Sequence, residues 1–503
     1  MEIVLGPPGT GKTTYLLEQM EGELDRGTSP KRIGYVSFTK RAAREAKERA
    51  QVKFKLGHKD LPWVSTLHSL CFRSLGMKNE EVFEGKKLQE FAKYCGHKLS
   101  NYTSWEDGTT FGFETGDRCL FIDNLARVRR VSLREQYDHV ENRDDTQWPV
   151  VDFISQALVK FKTTYGLLDY TDMLAKFVMQ GHVPLDVLFV DEAQDLSLLQ
   201  WQVVDQLAKS ARRVVVAGDD DQAIYRWAGA AVEHFIGLQG DVTVLDHSWR
   251  VPPEVQTVAL RIVGGIKNRR AKAWAPRDGQ GTVEYVALLD NADIDVNEDT
   301  LILSRNTQFL QNPVIPMLKR QGILYEYHDN PSVRQSLINA IVWWERLRRG
   351  GEVTVDEAEK VYDEMSSGVG YTRGHKKLPA WQDRDQLVTM QDLKEAGGLL
   401  ADDLWRKALN RRMKPEEESY MVKVLQGGQK LTERPKIRIS TMHGAKGAQA
   451  DHVVILLDIA WRTLDEAKYL PDDEARTWYV AVTRAKQKLT IVRARNYQRS
   501  YEL

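Results

Sequence analysis

The chain has 503 residues, 42% of them hydrophobic and 28% charged, which is too long for one hydrophobic core and too apolar for a disordered or fibrous chain. Lysine and arginine number 71 and so do aspartate and glutamate, so a polyanion has to be gripped by a local basic groove, because the chain as a whole carries no net charge. Cys71, Cys95 and Cys119 lie far apart, with no Cys-x-x-Cys pair, and read as free thiols of a reducing compartment. Apolar runs such as 187–190 and 453–457 are too short to span a bilayer, and the run 3–5 gives way at once to a glycine loop, so no secretory signal is expected there.

In chain order, residues 2–5 read as an apolar strand that leads into Gly6-Pro7-Pro8-Gly9-Thr10-Gly11-Lys12-Thr13 and then a helix-competent run from Thr14. This is the phosphate-loop pattern in the context its mechanism needs. The glycines let backbone N–H groups close around phosphate oxygens, Lys12 reaches the β and γ oxygens, and the Thr13 hydroxyl is a Mg²⁺ ligand candidate. Gly6, Pro7, Gly9, Thr10, Gly11, Lys12, Thr13 and Thr14 are thus the expected nucleotide cradle.

Further β-rich runs at 33–38, 187–190 and 214–217 alternate with helical patterns, which predicts a parallel sheet covered on both faces. Residues 62–148 are helical and charged and read as an insertion. The run 187–190 ends in Asp191-Glu192, and a carboxylate at the end of a buried strand needs a cation or hydrogen-bond donors. Asp191 is the expected Mg²⁺ ligand and Glu192 the group that orients or deprotonates the attacking water; taken alone, a helix cap is the bland alternative. Residues 267–281 hold several basic residues, then Pro276 and two glycines, and read as a hinge. A second strand set at 283–287, 301–303, 437–440, 453–457 and 489–492 predicts a second α/β domain, interrupted by the charged, helix-rich stretch 331–434.

Asp191-Glu192-Ala193-Gln194-Asp195 is followed by Gly218-Asp219-Asp220-Asp221-Gln222-Ala223-Ile224-Tyr225-Arg226-Trp227. Here the chain closely resembles the UvrD, Rep and PcrA type of superfamily 1 DNA helicase. Other family motifs fall into order along nearly the whole chain: Ser37-Phe38-Thr39-Lys40, Ser65-Thr66-Leu67-His68, His247-Ser248-Trp249-Arg250, Leu303-Ser304-Arg305-Asn306, Thr441-Met442-His443-Gly444-Ala445-Lys446-Gly447 and Tyr479-Val480-Ala481-Val482-Thr483-Arg484.

The resemblance implies an α/β fold of two RecA-like motor domains, each with a largely helical insertion, and ATP with Mg²⁺ as cofactors. The expected divisions are 1–61 and 149–275 for the first motor domain around the insertion 62–148, and 276–330 and 435–503 for the second around 331–434, an insertion short for the family. By their motifs Lys12, Glu192, Gln222, Arg250 and Arg484 are the catalytic set, the two arginines meeting the charge that develops on the transferred phosphoryl group. Trp249 takes the place of the family's adenine-stacking tyrosine, while Gly447 and Gln449 lie near the ribose, with Gln449 where a glutamate is common. The family's upstream adenine-recognising glutamine has no counterpart in the sequence.

For the nucleic-acid track the resemblance implies Phe38, Tyr225 and Trp227 as sequence-tolerant stacking platforms, and Thr39, Thr66, His68, Arg305, Thr441 and His443 as contacts to phosphate or sugar. The expected activity is an ATP-dependent translocase on single-stranded DNA that unwinds duplexes 3′ to 5′. An RNA-acting or protein-displacing translocase of the same fold, or a nucleotide-gated DNA clamp, is the alternative. Expected partners are single strands and single/double-strand junctions, with further proteins docking on 331–434 and no membrane. The chain is expected to be a monomer in the cytoplasm, at the nucleoid, with a nuclear or viral setting left open.

Overall fold

The computed structural model describes residues 1–37, 40–57, 59–100, 114–139 and 146–503. These divide into two compact units, one of residues 1–285, 304–307 and 441–503 and one of residues 286–303 and 308–440.

The first unit is built on a six-stranded sheet of β1 (Glu2–Leu5), β2 (Ile33–Ser37), β3 (Val64–Thr66), β4 (Val187–Asp191), β5 (Arg213–Gly218) and β6 (Asp241–Val244), in the order β3-β2-β4-β5-β1-β6. Every pairing is parallel. Side chains alternate across it as a two-faced sheet demands: Ile3, Leu5, Leu188, Val190 and Val216 feed one core, and Val4, Val187, Phe189, Val215 and Ala217 the other. Parallel strands bring all their carboxyl ends to one edge, so the loop after β1, Asp191 at the end of β4 and Gly218 at the end of β5 face the same crevice.

The helices Lys86–Cys95, Thr115–Arg129, Leu133–Asp138 and Trp148–Tyr165 gather a separate core of Phe83, Phe91, Cys119, Ile122, Ile154 and Phe161. At its edge Arg127 bonds Asp123 at 2.8 Å and Asp169 at 2.9 Å, and Lys162 pairs with Asp169 and Asp172. All three cysteines are buried free thiols.

Also in the first unit are the parallel neighbours β14 (Ala450–Leu456) and β15 (Ala485–Val492), with β7 (Thr282–Val286) beside β15. The helix Pro471–Val482 precedes β15 and is buried along its length from Glu474 onward.

The second unit carries β8 (Thr300–Ser304), β9 (Tyr325–Tyr327), β10 (Asn330–Pro331) and β13 (Ile437–Thr441) in the order β10-β9-β13-β8, with β13 parallel to β9 and β10 antiparallel to it. A two-stranded ribbon, β11 (Val353–Thr354) and β12 (Leu387–Val388), and helices such as Gln335–Arg348 and Pro415–Gln426 complete it. The expected mixed α/β class, with parallel sheets and abundant helices, is present. Among the described residues, no helix is long and apolar enough to cross a membrane.

The stretch 267–281, expected as a hinge, is instead pinned within the first unit. Lys267 and Asn268 donate their amide N–H groups to Asp472, Arg269 pairs with Asp221, and Lys272 is buried against three carboxylates. Arg269 and Lys272, read from sequence as part of a hinge, are partners of the acidic run after β5.

Candidate nucleotide site and nucleic-acid interface

The loop after β1 turns through positive φ at Gly9 (76°) and Gly11 (83°), conformations that L side chains rarely adopt. A Cβ on Gly9 would sit 2.4 Å from Arg250 Cβ, so only glycine lets the segment after β6 lie on the loop. That contact is bonded on both sides: Ser248 Oγ donates to the Pro8 carbonyl at 2.7 Å, and the Trp249 N–H to the Gly9 carbonyl at 2.9 Å. Trp249 stands 73% exposed beside the loop, edge-on to His247. Lys12 Nζ donates to the Gly6 carbonyl at 2.8 Å.

Asp191 is 1% exposed and accepts from Thr13 Oγ1 at 3.1 Å and from the Tyr35 hydroxyl at 2.6 Å. A carboxylate and a hydroxyl side by side are hard oxygen donors that suit Mg²⁺, which takes one or two protein ligands and completes its shell with water and phosphate oxygens. Burial, then the neighbouring Glu192, pushes the Asp191 carboxyl up. Glu192 itself is held below the usual range: burial opposes its ionisation, but Lys12, Lys446, a hydrogen bond from Gln194 and Arg484 outweigh it. Its φ of 53° is left-handed, a strained setting for a residue with a side chain.

Gln194 holds Glu192 in place. Its Nε2 donates to Glu192 Oε2 at 2.5 Å, and its Oε1 accepts the Asp219 N–H at 3.0 Å, tying the end of β4 to the end of β5. Gln222 is held at both ends as well: Nε2 donates to Asp219 Oδ2 at 2.6 Å, and Oε1 accepts from Arg484 Nη2 at 3.0 Å. Arg484 is 2% exposed and also donates to the Val480 carbonyl at 2.8 Å; burial, then the nearby Arg250, pulls its guanidinium down to about 9. Arg250 reaches the Thr483 carbonyl at 3.4 Å with one Nη, while its Nε is buried without a hydrogen-bond partner. Both arginines thus sit beside the strand-end acids within the first unit. Gly447 turns through a φ of 80°, and Ala448 just before Gln449 accepts from Arg484 at 3.3 Å.

Lys446 connects this site to the aromatic residues. Its ammonium bonds Asp195, donates to the Gln222 carbonyl at 2.8 Å and lies 4.8 Å from the centre of the Tyr225 ring. Asp195 is buried, its second oxygen has no partner, and burial working against Lys446 pushes its carboxyl up to about 6.

Two cavities flank the Tyr225–Ala230 segment. One, of about 1130 Å³, is lined by Thr66, His68, Asp195 and Tyr225; the other, of about 600 Å³, by Trp227, His443, Arg305 and Tyr469. Thr66 caps the helix Leu67–Ser74 by accepting the Ser69 N–H, and His68 meets Tyr170 edge-on at 5.8 Å. Trp227 lies edge-on to both Tyr225 and His443, each at 6.3 Å. Arg305 is buried and pairs with Glu474 at 3.0 Å, and His443 is a buried imidazole held neutral by burial and by Arg305 and Lys446. Thr441 is 1% exposed, and its hydroxyl accepts the Gly444 N–H at 3.1 Å. Phe38 and Thr39 lie outside the described residues.

Sequence reasoning missed Tyr35, Asp219, Lys272 and Glu474, whose roles depend on partners distant along the chain. Gln194 and Lys446 stood inside recognisable motifs but had been given no function.

The UvrD/REP helicase N-terminal domain model matches residues 2–243, and the UvrD-like helicase C-terminal domain model matches residues 413–496. The ATP-dependent DNA helicase PcrA of Staphylococcus epidermidis is 23% identical over 310 residues, and that of Staphylococcus aureus 24% identical over 316. Each match covers 58% of this chain and 42% of the relative, so the chain spans about two fifths of the length of these relatives. The two family models together take in well over half of the chain, in the order expected of one protein, and the chain belongs to the UvrD/REP helicase family.

Proposed function

We propose that the chain is an ATP-driven motor that moves along single-stranded DNA and separates duplex strands. Lys446 carries this proposal: one ammonium holds Asp195 beyond the strand-end acids, the main chain of Gln222, and the face of Tyr225. A change on the nucleotide side therefore moves a cation that also touches the aromatic track.

In this scheme the loop amides and Lys12 hold the ATP phosphates, Trp249 stacks on adenine, and Gly447 and Gln449 lie at the ribose. Thr13 and Asp191 would hold Mg²⁺, which would neutralise phosphate charge. Glu192, ionised and held by Gln194, orients a water molecule and takes its proton as the water oxygen attacks the γ phosphorus and the bond to the β-phosphate oxygen breaks. Arg250 and Arg484 face the charge that develops, and Gln222 senses the γ-phosphate. Tyr225 and Trp227, with Phe38, stack on bases without reading sequence, while Thr39, Thr66, His68, Arg305, Thr441 and His443 supply the polar contacts to the strand. Movement 3′ to 5′, action at single/double-strand junctions, a monomeric state and a cytoplasmic, nucleoid-associated setting belong to the same proposal. So does partner docking on 331–434.

The test is ATP hydrolysis by the purified chain alone, with single-stranded DNA, and with single-stranded RNA of the same sequence, followed by fork unwinding. Strong stimulation by DNA and strand separation at the fork are expected. Equal stimulation by RNA points to the RNA motor, and binding without stimulated turnover to the clamp.

A further inference from the structure

The segment 267–272 and the three consecutive acids Asp219, Asp220 and Asp221 form a buried ionic cluster that the chemistry above leaves unused. Lys272 Nζ lies 3.2 Å from Asp219, 2.6 Å from Asp220 and 2.8 Å from Asp221, and none of these four side chains is more than 1% exposed. Arg269 grips Asp221 with two N–H donors at 2.8 and 2.6 Å, and the Arg270 amide donates to Asp220 at 2.8 Å. Three adjacent carboxylates shut away from water repel one another, so their packing depends on the ammonium set among them.

Asp219 faces Lys272 with one oxygen and accepts Gln222 Nε2 with the other. Gln222 Oε1 in turn accepts from Arg484. The amide has one workable orientation: reversed, its NH₂ would face a guanidinium, which has no acceptor, and its carbonyl would face a carboxylate.

We infer that Lys272 is a positioning residue, which by holding Asp219 against its own charge sets the orientation of the Gln222 amide and, through it, of Arg484. It acts through Gln222 and touches no nucleotide. The inference rests on Gln222 being the γ-phosphate sensor proposed above.

The test is kcat and KM for ATP at saturating single-stranded DNA, measured on the full chain for Lys272→Met, Gln222→Ala and the double variant. Each single change is expected to lower kcat about 10-fold while KM moves less than about 2-fold, the pattern of a contact made only in the transition state. The double variant is expected to be no slower than Gln222→Ala. Lys272→Arg, which keeps a cation against Asp219, recovers most of kcat. Arg269→Gln removes one of the two cations on Asp221 but leaves Lys272 on Asp219 and Asp221, so it lowers the melting temperature and spares kcat. Additive losses in the double variant, or equal kcat losses in Lys272→Met and Arg269→Gln, overturn the inference. Should methionine at 272 prevent folding, Lys272→Gln is read by the same cycle. No hydrolysis by the parent chain overturns the proposed function and this inference together; hydrolysis by the parent with additive losses overturns this inference alone.

Discussion

Replacing Lys446 by methionine removes the cation that Asp195, the Gln222 carbonyl and Tyr225 share. Breaking a buried ion pair costs about 3 to 5 kcal/mol when the remaining charge has no escape. Asp195 has one, because its carboxyl titrates near 6, so at pH 7 its protonated form lies only about 1.4 kcal/mol above the ionised one. Adding about 1 kcal/mol for the Gln222 hydrogen bond and about 0.5 to 1 for the contact with the ring gives a ceiling of about 3 kcal/mol. Denaturant unfolding at pH 7 should show that loss, and Asp195→Asn in the same chain should return about 1 kcal/mol of it, since no buried charge then needs neutralising. The sign with pH follows from the raised carboxyl. Losing Lys446 removes the cation that holds the Asp195 carboxyl down, so above about pH 6 ionising Asp195 opposes folding more in the variant than in the parent. That penalty fades as pH falls toward the unfolded value near 4, so the variant's deficit should shrink between pH 7 and pH 5. In the same samples, the ratio of DNA-stimulated to basal ATP turnover should fall. A loss under about 0.5 kcal/mol, the size expected at a surface position, or an unchanged stimulation ratio would refute the bridging role of Lys446.

Lys12→Ala and Glu192→Gln should each abolish ATP turnover, while Glu192→Gln still binds nucleotide in a calorimeter; near-normal turnover in either removes these residues from the site. Trp227→Ala should weaken single-strand affinity by about 1 to 3 kcal/mol, the worth of one stacked base, and raise the ATP spent per nucleotide travelled. Unchanged DNA-stimulated kinetics would take Trp227 off the track. Asp169 is pulled below the usual range because, although burial opposes its ionisation, Arg127 and Lys162 outweigh that penalty. Its stabilising effect is therefore present above about pH 4 and lost as pH falls through the lower folded value. Asp169→Asn should accordingly destabilise the helical region at pH 7, and the gap between parent and variant should narrow progressively as pH falls below about 4, as measured by denaturant unfolding across that range.

The candidate nucleotide site is legible because its chemistry is local in sequence. A glycine loop after a strand, or two acids at a strand end, states its geometry within ten residues, and Thr13 does meet Asp191 across the sheet edge. The nucleic-acid candidates were harder. Arg305 and His443 were named from motif position alone, and sequence has no means of announcing that Arg305 is paired with Glu474, 169 positions on. Residues 267–281 misled for the same reason. Basic residues near a proline and two glycines look like a solvated linker until the acidic run 50 positions earlier is seen to receive them. The stretch 62–148 reads as wholly helical because it has no long apolar run, yet the three-residue strand β3 lies inside it, too short to stand out by pattern, and the Arg127–Asp169 network depends on side chains that pattern reading treats as solvated.

The close seating of Gly9 against Arg250 makes the phosphate loop and residues 248–250 behave as one mechanical part. Trp249, joined to Gly9 by its amide and largely open to solvent, is therefore a native optical reporter on that loop. The difference in emission between the parent chain and Trp249→Phe isolates its signal from the other tryptophans. Nucleotide arrival can then be timed in a stopped-flow instrument without attaching a dye.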